Sequence, residues 1–173
     1  MLYRLFVPKQ AVGANLVYFD LFNAAGSVGR IELLSVAPVV SGAAAVTGTL
    51  AVDLFLTRTT AVGTGGTAAT AGGSALTACT ITPHDHFQPI DGLITARLTP
   101  SGGATAGAVL SWTSVFTEET SAAAYEVPAD LARPFADVPA IIVPQNTGIR
   151  VIQGADASVG NIGFNVVFKI DKR

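Results

Sequence analysis

Large apolar residues in this chain recur with a period of two. Near the C-terminus Ile162, Phe164, Val166, Phe168 and Ile170 alternate with Asn161, Gly163, Asn165, Val167 and Lys169. Successive side chains of a strand point to opposite faces, so this pattern lines one face with five large hydrophobes. Val46, Leu50, Val52, Leu54 and Leu56 repeat the arrangement, with Gly48 in the same series and Thr47, Thr49, Asp53 and Thr57 opposite. Helical geometry would scatter both sets around its circumference.

Further strands are predicted at 2–7, 16–22, 30–36, 78–81, 93–98, 108–116, 140–143 and 149–152. Gly, Pro, Asn and Asp cluster between them, as turn chemistry requires. The stretch 121–131 is the one helical turn expected, and Pro128 limits it. Eight to ten short strands without interleaved helices predict an all-β fold. The expected architecture is a β-sandwich of jelly-roll type, forming one domain over 1–173. Residues 1–12 are expected to be an N-terminal arm.

Two segments lack core-forming side chains. Residues 59–74, TTAVGTGGTAATAGGS, carry no charge and five glycines, and PSGGATAG follows at 100–107. The first is expected to be an extended Gly/Ala/Thr-rich loop that becomes ordered against another chain.

Composition narrows the function. Charged residues make up 13% of the chain, about half the usual ~25%, and the net charge is −2. A nucleic-acid binder relying on phosphate neutralisation needs a basic excess, which is missing. So sparse a charge favours association with other chains. The uncharged run 33–52 has the length of a spanning helix, but Pro38, Gly42 and Gly48 interrupt it. Two strands joined near Ser41 and Gly42 account for it better, so no membrane partner is expected.

Candidate chemistry is thin. The single cysteine, Cys79, excludes an internal disulfide and reads as a small buried hydrophobe. Gly63, Gly65 and Ala68 fit a G-x-G-x-x-A string, but no helix follows to receive a pyrophosphate, so no cofactor is expected. His84 and His86 could approach one cation from the same side of a strand, with Asp91 as a third ligand. A polar turn between Pro83 and Pro89 explains them more simply. Glu118 and Glu119 would face opposite sides of a strand, which suits an acid–base pair poorly. Trp112 lies in a strongly apolar strand and reads as core, or as part of a tight subunit contact, rather than as a ligand-stacking residue. No catalytic constellation converges, and no enzyme is expected. Arg4, Lys9, Lys169, Lys172 and Arg173 gather basic charge at the two ends, while Glu118, Glu119, Glu126, Asp130 and Asp137 gather acids in one region. Solvated faces explain both groupings, and head-to-tail complementarity between copies is the sharper reading.

The run Leu56 to Ala68, LTRTTAVGTGGTA, together with Ser114 to Thr120, SVFTEET, a Pro-rich segment and a closing strand, resembles small structural proteins of tailed bacteriophages. The likeness covers roughly residues 45–170. It implies a virion component on the outer surface of the capsid, a decoration or cement protein. Its implied partners are the major capsid protein and copies of itself, commonly as a homotrimer. It transfers no catalytic residue. The interface residues expected are Arg4, Lys9, Gly63, Gly65, Gly66, Glu118, Glu119 and Lys172. A tail, baseplate or fibre-associated protein, or a carbohydrate-binding sandwich, are the alternatives.

Overall fold

The computed structural model describes residues 1–41, 49–73, 76–85, 87, 89–102, 106–118, 130–133, 139–155 and 159–172. Among them there is no helix, and twelve strands are formed: β1 (Leu2–Ala11), β2 (Val17–Asn23), β3 (Gly29–Ser41), β4 (Thr49–Thr59), β5 (Thr67–Ala68), β6 (Thr70–Ala71), β7 (Thr80–Pro83), β8 (Ile94–Leu98), β9 (Ala106–Glu118), β10 (Ile141–Val143), β11 (Thr147–Gln153) and β12 (Asn161–Lys172). They make two six-stranded sheets, ordered β10-β3-β12-β1-β7-β6 and β5-β8-β2-β11-β4-β9. The sheets pack face to face as a β-sandwich. The expected turn at 121–131 lies largely outside the described residues, as does residue 46 of the second alternating run.

The long strands pair in a nested order. β1 pairs with β12, β2 with β11, β3 with β10 and β4 with β9, all antiparallel. The remaining four strands come from the insertion between β4 and β9. β8 and β5 extend the second sheet beyond β2, while β7 and β6 extend the first beyond β1.

β12 is the spine of the first sheet. Ile162, Phe164, Val166, Phe168 and Ile170 are all buried, as the alternation predicts, and Val167 is turned the other way and half-buried. Phe168 lies opposite Tyr3 of β1, and their rings stack at 5.5 Å. The two sheets lock at Phe164, which meets Tyr18 at 5.3 Å and Phe19 at 5.5 Å from β2. Adjacent residues of a regular strand could not both reach it. Val151 faces Phe19 and Ile152 faces Val17, so Tyr18 is the extra residue of a bulge. Its hydroxyl donates to Gln153 Oε1 at 2.8 Å, so the buried phenol keeps a partner.

Three expectations need correction. Residues 2–11 are not an arm: β1 is an interior strand, held by β12 on one side and β7 on the other. The segment 59–74 is, over its described part, ordered against its own chain. Ala69 N donates to Ala96 O of β8, and the next residue, Thr70, donates to Cys79 O beside β7. The segment thus crosses from one sheet to the other and closes that end of the sandwich. Its glycines permit the close approach: Gly66 has φ +60, and a Cβ there would strike the carbonyl oxygens of Leu98 and Thr99. The third correction is Trp112, which is 60% exposed rather than core.

Candidate assembly surface on the second sheet

The registers of β2, β11, β4 and β9 align side chains in rows across the outer face of the second sheet. Val17 faces Ile152, Ile152 faces Phe55, and Phe55 faces Trp112. Their strand neighbours Val151, Leu54 and Leu56 are buried in the core, so this row looks outward. Val17, Ile152 and Phe55 are half-buried, and Trp112 stands 60% exposed at the sheet margin. The Phe55 and Trp112 rings stack at 6.2 Å. Asp53 and Ser114 lie one row further along, with the Ser114 hydroxyl donating to Asp53 Oδ1. Val109, also exposed, faces Thr57 on the other side of the aromatic pair.

A polar row runs beside the apolar one. Arg97 of β8 faces Asp20 of β2, Asp20 faces Arg150 of β11, and Arg150 faces Thr57. Arg150 Nε donates to Thr57 Oγ1 at 3.2 Å. Asp20 is almost fully buried, because residues of the insertion fold over it and Gly63 N donates to its Oδ2 at 2.6 Å. Burial raises the Asp20 carboxyl above its ordinary range, while the Gly63 hydrogen bond and the positive charge of Arg97 oppose the rise. Asp20 Oδ1 makes no protein hydrogen bond among the described residues. Cys79 is buried, and desolvation with the nearby Asp20 charge pushes its thiol up to about 12, far from a reactive thiolate. A groove of about 430 Å³ opens beside both rows, with Val17, Arg150, Asn15, Thr99 and Ser101 in its wall.

The residues expected at an interface are dispersed. Arg4 and Lys9 are exposed on β1 of the first sheet, where Lys9 borders a shallow groove with Phe6, Val39 and Leu76. Gly65 and Gly66 are exposed in the insertion, but Gly63 is buried against Asp20 and presents no surface. Glu118 ends β9 and Lys172 ends β12, and Glu119 lies outside the described residues. Asp130, one of the clustered acids, serves locally: its Oδ1 accepts from Val36 N and Ala132 N. His84 is exposed and His86 lies outside the described residues. Asp91 accepts from Val28 N and Leu93 N, which places it as a turn-former. No group of three metal-ligating side chains occurs among the described residues.

The aromatic pair escaped the sequence reading although a signal existed. Phe55 falls on the Asp53 and Thr57 side of its alternating strand, the outward one. No family model, curated protein or solved structure matches this chain.

Proposed function

We propose that this protein is a non-enzymatic structural subunit, a decoration protein that binds the outer surface of a phage head shell. Its partners would be the major capsid protein and copies of itself, with the threefold grouping that the resemblance suggests. The observation that supports this best is the apolar outer row ending in the exposed Trp112. A large aromatic held at a sheet margin and stacked on Phe55 is the kind of anchor that dominates protein interfaces. The nested strand pairing supports the jelly-roll assignment, since two Greek keys roll a long hairpin in this way. The fold itself is shared by many functions and carries none of this argument.

The test is to mix the protein with shells lacking it and measure co-sedimentation and shell melting. Saturable binding that raises the melting point, and is weakened by Trp112→Ala, is expected. Unchanged shell stability, or location only on the tail, overturns the decoration reading and favours a tail or baseplate component.

One observation favours a second reading. The Phe55–Trp112 stack beside the Asp53–Ser114 pair sets an exposed indole next to polar groups, as a sugar-binding surface requires. Glycan titration followed by Trp112 fluorescence tests it, and a saturable shift would promote it.

A further inference from the structure

We infer that residues 60–66 and 99–102 form a pH-responsive lid, closed over Asp20 while its carboxyl carries a proton and loosened when the proton leaves. The lid concerns how the chain covers its own sheet and is independent of any partner.

The two segments act as one cover. Thr64 N donates to Gly102 O at 2.7 Å, and Ser101 N donates back to Thr64 O at 3.0 Å. Beneath them Gly63 N donates to Asp20 Oδ2 at 2.6 Å, which ties the cover to β2. A Cβ at Gly63 would strike both Asp20 Oδ2 and Pro100 Cβ, so carboxyl, glycine and proline are in close contact. At the root of the second segment Thr99 holds φ 45, a costly conformation for a β-branched residue. The closed position is thus kept by its contacts and not by local backbone preference.

Asp20 becomes the weak point of this arrangement once it is charged. It is 1% exposed, and its Oδ1 has no hydrogen-bond partner among the described residues. A neutral acid costs far less to bury in that state than a carboxylate does. The charged and titratable groups around it do not make up the difference. Arg97 of β8 lies opposite in register, but it donates to Gly65 O and forms no ion pair with Asp20. Arg150 of β11 lies opposite on the other side and donates from Nε to Thr57 Oγ1. The Cys79 thiol, pushed up to about 12, stays neutral, and the lid segments carry no charge. Burial therefore outweighs the Gly63 bond and the Arg97 charge and holds the carboxyl above its ordinary range. Hydration of Oδ1 is the remaining way to stabilise the charge, and water reaches it when the cover lifts. Closure is fully favoured below the ordinary value of about 3.9 and weakens as pH rises through the raised one.

Hydrogen exchange of the intact chain, followed by NMR from about pH 3.5 to about 7 and corrected for intrinsic rates, reads opening at the Gly63 and Thr64 amides. Opening should rise by about tenfold per pH unit between the ordinary and the raised value, then level off. The carbon-13 shift of the Asp20 carboxyl follows its titration in the wild type, and the plateau should begin at that midpoint. Amides of β12 such as Val166 and Phe168 should keep their protection, which separates lid motion from global unfolding. Asp20→Asn should flatten the profile. A flat wild-type profile, opening that does not follow the carboxyl titration, a pH dependence that persists in Asp20→Asn, or equal loss of protection in β12 would each overturn the lid.

Discussion

Replacing Phe164 by Ala tests the packing of the two sheets most directly. Phe164 is 1% exposed and is the one β12 ring in contact with two aromatic side chains of the opposite sheet, Tyr18 and Phe19. Truncating a buried Phe costs about 3–5 kcal/mol, through lost transfer energy and the cavity left behind. Each aromatic pair adds about 0.5–1.5 kcal/mol beyond its buried area, which places this site toward the upper end. The neighbours cannot close the gap easily. Tyr18 is held at its hydroxyl by Gln153, and Gln153 Oε1 is itself fixed by Gly13 N at 2.9 Å. Against a total stability of about 5–15 kcal/mol for an ordinary domain, the loss is a third or more. At about 2–4 °C per kcal/mol for a chain of this size, the melting temperature should fall by roughly 10–15 °C. Urea unfolding should show a lower midpoint at unchanged slope. Trp112→Ala is the control: at 60% exposure it should change stability by less than about 1 kcal/mol. A loss below about 1.5 kcal/mol at Phe164, or equal losses at the two positions, would refute the assignment of inner and outer faces.

The insertion yields two further expectations. Gly63→Ala should destabilise by about 1–3 kcal/mol and quicken proteolysis at 60–66, because its Cβ would meet Asp20 Oδ2 and lie 2.8 Å from Pro100 Cβ; an unchanged cleavage rate would contradict the clasp. Asp20→Asn keeps an acceptor for Gly63 N while removing the charge. Since burial raises the Asp20 carboxyl, its contribution is present below the ordinary value of about 3.9 and lost as pH rises through the raised one. The stability difference, variant minus wild type, should therefore grow over that window in urea titrations, and a pH-independent difference would show that Asp20 is not desolvated as described.

What could be read from the sequence depended on how far neighbouring residues determine the outcome. The β12 and β4 faces follow from alternation alone, so the buried set from Ile162 to Ile170 and Val52, Leu54 and Leu56 emerged directly. Trp112 was misplaced because an apolar neighbourhood does not say which sheet face is covered; that depends on register with Phe55, a long-range property. The segment 59–74 was misread for a related reason. Glycine and alanine cannot build a core, but they let backbone lie against backbone, and the hydrogen bonds at Ala69 and Thr70 are invisible to a hydrophobic pattern. Asp20 did leave a trace, as a lone carboxylate between Phe19 and Leu21, yet only the fold brings Gly63 to it.

The proposed association also makes a claim about salt. Along the outer row of the second sheet, Val17, Ile152, Phe55 and Trp112 carry no charge; the neighbouring Asp20 carboxylate is buried beneath the insertion, and Asp53, Arg97 and Arg150 beside the row are half-buried. Contact energy there would come from apolar burial, which ionic strength does not screen directly. The exposed cations Arg4 and Lys9 belong instead to β1 of the first sheet, and neither forms an ion pair among the described residues. Raising salt from 0.1 to 0.5 M shortens the screening length from about 10 Å to less than half of that, enough to suppress a contact made through those two side chains. Shell affinity measured across that range should change by less than about threefold if the second sheet docks. A collapse of binding with rising salt, reproduced at low salt by Arg4→Ala with Lys9→Ala, would move the docking face to the first sheet and leave Trp112 without a role in it.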